Sequence, residues 1–102
     1  MKNKKVCIVT GASRGLGRGI ALVLAKEEGC KVYATARNIN ALNSLAKEAG
    51  SGTKGGVLKA CELDQSDDNA VKDFVNKIKS ENNEINLLVN SSYASLIAIA
   101  PH

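Results

Sequence analysis

Short apolar runs alternate along the chain with longer segments in which apolar residues recur at helical spacing. The runs predict four β-strands, at Val6–Thr10, Lys31–Thr35, Val57–Leu63 and Ile85–Asn90. The first run has four consecutive apolar residues before its threonine, which is typical of a strand buried on both faces of a parallel sheet.

The longer segments predict three helices. Gly29 closes the first one, because glycine readily adopts the left-handed conformation that ends many helices. Asn38 or Asn40 can cap the second helix, and Ser66 or Asp67 can cap the third. The predicted inner faces carry Ile20, Val23 and Leu24 in the first helix, Leu42, Leu45 and Ala46 in the second, and Val71, Phe74, Val75 and Ile78 in the third.

The resulting order, β-α-β-α-β-α-β, predicts an α/β fold on a parallel sheet. Right-handed crossovers place the first two helices on one face and give the strand order 3-2-1-4. The third helix, Asp68–Asn82, then covers the other face alone, so we expect an incomplete three-layer fold. The fourth strand, Ile85–Asn90, is expected to be an exposed apolar edge through which the chain could self-associate. We place the domain at 1–94 and a short apolar tail at 95–102.

Composition and charge narrow the function classes. The chain has 102 residues, the size of one small domain, and a formal net charge of +4. Its lysines are spread along the sequence, and two tyrosines and one phenylalanine are too few to stack nucleotide bases. We therefore expect no nucleic-acid partner. No apolar run approaches the length of a membrane span.

Cysteine usage points to a reducing compartment. The sequence has three cysteines, an odd number, at Cys7, Cys30 and Cys61. They are widely spaced and form no Cys-x-x-Cys pair, which argues against disulfides and a zinc site. Cys7 and Cys61 lie in apolar runs and are expected to be buried thiols. We therefore predict a cytoplasmic protein without a metal site.

A glycine-rich loop follows the first predicted strand and opens the first helix: Thr10-Gly11-Ala12-Ser13-Arg14-Gly15-Leu16-Gly17. Gly11 lets the chain leave the strand in a tight turn, Gly15 lets the backbone approach a pyrophosphate, and Gly17 lets the helix pack close to the sheet. The helix N-terminus then presents unpaired N–H groups and a partial positive charge to the phosphates. An ordinary strand-to-helix turn has no need of so many glycines, and Gly19, inside the helix, costs about 1 kcal/mol relative to alanine.

With Thr10 in front, the spacing Gly-x-x-x-Gly-x-Gly resembles that of the short-chain dehydrogenase/reductase family. Three further segments resemble the family in register, from Lys5 to about Ala94. They are Ala34-Thr35-Ala36-Arg37-Asn38 at the end of the second strand, Cys61-Glu62-Leu63-Asp64 at the end of the third, and Leu87-Leu88-Val89-Asn90-Ser91-Ser92-Tyr93-Ala94 after the fourth.

This resemblance implies a Rossmann-type fold and an oxidoreductase activity on carbonyls or alcohols. It also implies that Asp64 holds the adenine ring of a dinucleotide. Asn90 keeps the first position of the family's Asn-Asn-Ala-Gly segment, whereas Ser91 and Ser92 depart from it, so an altered but usable loop is expected. The following tyrosine and alanine are similar to one branch of the family.

The end of the second strand indicates which dinucleotide the chain prefers. A free ribose 2′-hydroxyl calls for an acidic residue there, but Ala36 is followed by Arg37, and no carboxylate occurs between positions 31 and 45. Arginine grips a 2′-phosphate bidentately, and the resemblance places Arg14 near the same phosphate. We therefore predict NADP(H) as the cofactor, with NAD(H) less favoured. The predicted cofactor-binding residues are Gly11, Ser13, Arg14, Gly15, Leu16, Gly17, Arg37, Leu63, Asp64 and Asn90.

No catalytic residue is predicted. The resemblance implies a serine, a tyrosine and a lysine four positions after the tyrosine, in segments beyond the fourth strand. Tyr33 is followed at that spacing by Arg37, and Tyr93 by Ile97. The sequence therefore contains no tyrosine with the lysine that would activate it.

Two hypotheses about function stay open. In the first, the chain is the cofactor-binding part of an NADP-dependent oxidoreductase, present as a truncated or partial chain. In the second, it is a non-catalytic dinucleotide-binding module that a partner chain completes. A methyltransferase also has a glycine loop after its first strand, but Ala36 and Arg37 stand where that class carries an acid.

Overall fold

The structure is a computed structural model that describes residues 4–13, 15–50, 54–82 and 84–90, together with the backbone of 96–99. All seven predicted elements are present, although the third strand ends before Leu63 and the fourth begins after Ile85. An eighth element follows them. In chain order the elements are β1 (Val6–Thr10), α1 (Gly15–Lys26), β2 (Lys31–Ala36), α2 (Ile39–Ala49), β3 (Val57–Glu62), α3 (Asp68–Asn82), β4 (Leu87–Asn90) and β5 (Leu96–Ile99).

The strands form one sheet in the order β3-β2-β1-β4-β5, which confirms the predicted order 3-2-1-4. β1 to β4 are parallel. The register pairs Val6 with Lys31, Lys31 with Val57 and Cys7 with Leu87. The first two crossovers therefore extend the sheet in one direction from β1, and the third returns to the other side of β1.

The expectation that the fourth strand is an exposed edge is wrong. β5 pairs antiparallel with β4, with Leu87 opposite Ile99 and Asn90 opposite Leu96. This pairing satisfies backbone groups that would otherwise remain unpaired along β4. The described part of the predicted tail is therefore an edge strand of the sheet. Self-association stays a prediction, and the outer edge available for it is that of β5 rather than β4.

Two core layers lie on opposite faces of the sheet, as the crossovers predict. α1 and α2 cover one face, and α3 covers the other. The first layer includes Cys7, Val9, Val32, Ala34, Leu42, Leu45 and Val89. The second is smaller and includes Val6, Ile8, Tyr33 and Ile78, with Phe74 of α3 packed edge-on against the Tyr33 ring at 6.4 Å between centroids.

The inner face of α1 agrees with the prediction in part: Ile20 and Leu24 pack against the core, whereas Val23 does not belong to it. Its buried residues are Gly17, Ala21 and Ala25, whereas Val23 is 51% exposed. These three small residues recur every fourth position and so share one side of the helix. Their size lets the helix backbone approach the strands closely, which turns Val23 outward.

The connector before β3 packs tightly on the end of α1. A Cβ built on Gly56 would lie 2.0 Å from the carbonyl oxygen of Ala25, and one on Gly29, where φ is +69°, would lie 2.8 Å from that of Lys54. Val57 N donates a hydrogen bond of 3.0 Å to the Cys30 oxygen. These two glycines therefore permit backbone contacts that any side chain would block.

The burial of the cysteines differs from the prediction. Cys7 and Cys30 are buried, whereas Cys61 is half-buried because β3 is an edge strand. Burial, with a contribution from the neighbouring Cys30 thiol, raises the pKa of Cys7 to about 12. Cys7 is therefore a neutral core residue at ordinary pH rather than a nucleophile.

None of the helices in the described part of the chain combines the length and apolar character needed to cross a membrane.

Candidate functional site

The predicted site residues lie where the first four strands end. Gly11 and Ser13 follow β1, Arg37 follows β2, Leu63 and Asp64 follow β3, and Asn90 is the last residue of β4. Because these strands are parallel, their carboxyl ends share one edge of the sheet. Ligands of open α/β sheets bind outside such an edge, at the point where the strand order reverses. Here that point lies between β1 and β4.

The loop after β1 has the backbone conformation that its glycines permit. φ is +63° at Gly11 and +64° at Gly15, values that other residues adopt at a cost. The N–H of Ala12 donates a hydrogen bond of 3.0 Å to the carbonyl oxygen of Thr35, which fastens the loop to the end of β2. A Cβ on Gly15 would meet no atom of the described chain within 4 Å, so the space in front of this residue is open.

α1 begins at Gly15, so its N-terminus lies at the carboxyl edge of the sheet, directly after that loop. Its first turn carries no acidic residue, and Leu16 is 64% exposed. Gly17 is buried on the stripe of α1 that faces inward, and Ser13 is half-buried. The helix end therefore keeps the partial positive charge that favours an anion. Arg14, the remaining predicted residue of this loop, lies outside the described residues.

The loop after β2 presents a cation and no acid. Arg37 is exposed directly after the strand. Asn38 is the N-cap of α2, and its side-chain oxygen accepts hydrogen bonds from the N–H groups of Asn40 at 3.0 Å and Ala41 at 3.3 Å. The first turn of α2 contains no acidic residue. This corner of the site can therefore attract a negative group.

The loop after β3 holds a carboxylate close to that cation. Leu63 is buried, and its N–H donates to the carbonyl oxygen of Ala36 at 3.0 Å. Asp64 Oδ1 accepts hydrogen bonds from Ser66 Oγ at 2.7 Å and Ser66 N at 3.0 Å. These two bonds, followed by the positive charge of Arg37, lower the pKa of Asp64 below its ordinary value. Asp64 is thus a carboxylate, and an acceptor of hydrogen bonds, across the physiological pH range.

At the end of β4, the side-chain oxygen of Asn90 accepts hydrogen bonds from β1 and from the loop after β3. Asn90 Oδ1 accepts from Gln65 Nε2 at 2.8 Å and from Thr10 Oγ1 at 3.2 Å. Thr10 Oγ1 also donates to the carbonyl oxygen of Val89 at 3.3 Å. The sequence did not predict Gln65, because a glutamine in a polar loop belongs to no periodic pattern and no motif.

Two other acidic residues near Asp64 lie at the start of α3. Asp67 Oδ1 accepts a hydrogen bond of 3.1 Å from the N–H of Ala70, so it caps the helix, and Asp68 lies in the first turn. In the described part of the chain, no three His, Cys, Asp or Glu side chains gather where they could hold a metal ion. Ser91 and Ser92 lie outside the described residues.

Tyr33 lies in the second core layer rather than at the carboxyl edge of the sheet. Its ring is buried, and its hydroxyl donates to Glu81 Oε1 at 3.3 Å and accepts from Asn82 Nδ2 at 3.0 Å. Next to it, a hollow of about 440 Å³ opens at the amino ends of the strands, lined by Lys4, Val6, Lys31, Val57, Glu81, Asn82 and Glu84. Neither feature belongs to the predicted site.

The family model for short chain dehydrogenases matches residues 5–95. The chain belongs to this family. The resemblance seen in the glycine loop and at the three later strand ends is thereby confirmed.

The curated relatives are much longer than this chain. It is 42% identical over 96 residues to dehydrogenase/reductase SDR family member 1 of Mus musculus, covering 93% of this chain and 30% of the relative. The Homo sapiens protein of the same name is 40% identical over 98 residues, again covering 30% of the relative. The 3-oxoacyl-[acyl-carrier-protein] reductase FabG of Escherichia coli is 36% identical over 88 residues, which cover 86% of this chain and 34% of FabG. The chain thus spans about a third of the length of these relatives.

Solved structures of the family share the fold. A metagenomic short-chain oxidoreductase in complex with NADP superimposes with a TM-score of 0.75 at 31% identity, over 82% of this chain and 37% of the other. A citronellol catabolism dehydrogenase from Pseudomonas aeruginosa gives a TM-score of 0.75 at 34% identity, over 84% and 35%. The predicted Rossmann-type architecture is confirmed.

Proposed function

We propose that this chain is the NADP(H)-binding portion of a short-chain dehydrogenase/reductase that acts on carbonyl or alcohol substrates. The observation that carries the proposal is the loop after β2, where an exposed arginine stands in place of an acidic residue. The open N-terminus of α1 supports it, because both features favour a ligand with several negative charges.

Three groups of the dinucleotide would have counterparts at the carboxyl edge of the sheet. The pyrophosphate would lie against the open backbone at Gly15 and the first N–H groups of α1. Arg37 would pair with the 2′-phosphate through two parallel hydrogen bonds. The Asp64 carboxylate, held by Ser66, would accept from the exocyclic amine of adenine. When bound, the nicotinamide supplies or accepts the hydride.

Relatives support the choice of phosphorylated cofactor. The metagenomic oxidoreductase was solved in complex with NADP. A second structure, YwfH, is described as an NADPH dependent reductase, and it superimposes with a TM-score of 0.76 at 26% identity. The described cysteines are free thiols, in keeping with the cytoplasmic location that we propose.

A non-catalytic dinucleotide-binding module is the second candidate. It is favoured by one observation, that the sequence has no tyrosine followed four positions later by lysine. Under this hypothesis a partner chain supplies the helices that complete the cover beside α3, together with any catalytic groups. Both candidates predict the same cofactor preference, so the preference is tested first.

We expect the chain to bind NADPH at least about 10- to 100-fold more tightly than NADH, because each charge-assisted hydrogen bond from Arg37 is worth about 1.5–3 kcal/mol. Calorimetric titration of both cofactors at one salt concentration measures this ratio. Arg37→Ala should bring the two affinities together by weakening NADPH alone. Lys47→Ala, which removes a cation from the far end of α2, is the matched control and should change neither. Equal affinities in the wild-type chain would refute the preference.

The chain alone should not turn over substrate, since the sequence offers no activated proton donor. The measurement is the absorbance of NADPH over time with a panel of aldehydes and ketones. We expect no consumption above the protein-free rate. A rate that rises in proportion to purified chain, and is reduced in Arg37→Ala, would show that the chain carries catalytic groups of its own.

A further inference from the structure

A glutamine in the loop after β3 reaches along the carboxyl edge of the sheet to the end of β4. The Nε2 of Gln65 donates a hydrogen bond of 2.8 Å to Oδ1 of Asn90. β3 and β4 are not neighbours, because β2 and β1 lie between them. The Gln65 side chain therefore links two parts of the edge that no strand pairing connects.

Gln65 makes a shorter hydrogen bond to Asn90 Oδ1 than a second donor does. The second donor, Thr10 Oγ1, lies at 3.2 Å and has one hydroxyl proton, which it shares with the carbonyl oxygen of Val89 at 3.3 Å. A proton shared between two acceptors at these distances makes two weak hydrogen bonds. The bond from Gln65 is shorter and is made by an amide N–H.

Further hydrogen bonds of the same loop lead to β2 or stay within the loop. Leu63 N donates to the carbonyl oxygen of Ala36, which fixes the start of the loop to β2. Asp64 accepts from Ser66, and Asp67 N donates to the carbonyl oxygen of Asp64 at 3.1 Å, so these bonds stay within the loop. Gln65 supplies the tie to β4.

We propose that Gln65 is a positioning residue. It holds the loop 63–67 against the end of β4 and so determines the position of Asp64 at the carboxyl edge of the sheet. The step deepens the proposed function and rests on it, since it names the side chain that shapes the adenine end of the same site. Gln65 itself acts through Asn90 and the loop, by donating a hydrogen bond to Asn90 Oδ1.

The first test follows amide hydrogen exchange at Ser66 and Asp67 in the full chain without cofactor. Gln65→Met keeps the length of the side chain but has no donor, and should accelerate exchange at both amides about three- to tenfold, the range for one lost hydrogen bond. Gln65→Lys restores a donor of similar reach and should return both rates to near those of the wild type. The amide of Ala12 donates to the carbonyl oxygen of Thr35 in β2 and has no bond to the loop 63–67 in the hydrogen bonds described above. It is the internal control for global opening.

Exchange rates in Gln65→Met that equal those of the wild type would overturn the proposal. Gln65→Lys exchanging as fast as Gln65→Met would overturn it too, because the donor would then have no effect. Faster exchange at the two loop amides, with rescue by lysine and a constant Ala12, would support it.

The second test is NADPH affinity. Gln65→Met should raise the Kd for NADPH about three- to tenfold, because the displaced loop no longer presents Asp64 to the adenine. An unchanged Kd for NADPH in this variant would overturn the proposal that Gln65 positions Asp64 for the adenine. If the wild-type chain bound no NADPH, the proposed function would fail, and the exchange rates would still decide whether Gln65 holds the loop.

Discussion

Asp64 is held as a carboxylate by hydrogen bonds from a single serine. The Ser66 hydroxyl and N–H, and then the charge of Arg37, lower the pKa of Asp64. Because the folded pKa lies below the unfolded value, this stabilisation is complete above about pH 3.9 and is lost as the pH falls through the lower folded value. Asp64 should therefore contribute equally at pH 6 and pH 8.

We predict that Ser66→Ala raises the pKa of Asp64 toward the ordinary value, because the hydroxyl makes the largest contribution to the shift. The measurement is an NMR titration of the Asp64 side-chain carboxyl carbon between about pH 2 and pH 6, around the ordinary aspartate pKa. Ser80→Ala is the control, since the Ser80 hydroxyl donates to the carbonyl oxygen of Lys77 within α3. An Asp64 pKa equal in Ser66→Ala and the wild type would contradict this assignment.

Single residues differ in how readily a sequence reveals them. Gly11 and Gly15 could be predicted because a positive φ demands glycine and the family spacing places it. Asn90 and Asp64 could be placed because each ends, or directly follows, a recognisable apolar run. Gln65 could not be predicted, since its partner is distant in sequence and the contact depends on the path of an irregular loop.

At the scale of elements, apolar periodicity located the strands and helices but wrongly included Val23 in the inner side of α1. Large apolar residues suggested a face containing Val23, whereas the sheet receives Gly17, Ala21 and Ala25. Periodicity ranks residues by hydrophobicity, while close packing against a sheet favours small ones. Periodicity also gives no sign of the contact at Gly56, which lies in close backbone contact with α1.

We predict that Gly56→Ala destabilises the chain by about 1–3 kcal/mol, because its Cβ would overlap the carbonyl oxygen of Ala25 and force β3 away from α1. Gly19→Ala is the matched control. Its Cβ would meet nothing within 4 Å, and alanine is favoured over glycine in a helix by about 1 kcal/mol. Urea unfolding monitored by circular dichroism measures both changes.

The two substitutions should thus change the free energy of unfolding in opposite directions. A Gly56→Ala chain as stable as the wild type would show that β3 does not pack against the end of α1 as described. A destabilised Gly19→Ala chain would show that this side of α1 is occupied rather than open.

At the scale of the whole molecule, the two faces of the sheet are covered by unequal numbers of helices. Two helices pack on one face and α3 alone on the other, and β5 closes only the backbone edge of β4. The sequence predicted this imbalance from handedness, which is a general rule of parallel sheets. It missed β5 because four consecutive apolar residues have no period that distinguishes a strand from a tail.

We predict that NADPH stabilises the chain by mass action, because a ligand that binds only the folded state shifts the unfolding equilibrium. At about 100 times its Kd it should add about 2.7 kcal/mol and raise Tm by roughly 10–20 °C. Thermal unfolding with increasing NADPH tests this, and the same series with Arg37→Ala is the control, whose Tm should rise less. A wild-type Tm independent of NADPH would refute the prediction.

The pairing of β1 also decides what the chain exposes while it is being synthesised. On one side β1 meets β2, where Val6 pairs with Lys31, but on the other Cys7 pairs with Leu87, 80 positions later. A local crossover closes soon after its residues are made, whereas the second pairing must wait until Leu87 has been made and costs more loop entropy. A nascent chain can therefore join β1, β2 and β3 while the other side of β1 has no partner. The strand buried deepest in the finished sheet is then an open edge on the ribosome, where premature pairing with another nascent chain would cause aggregation.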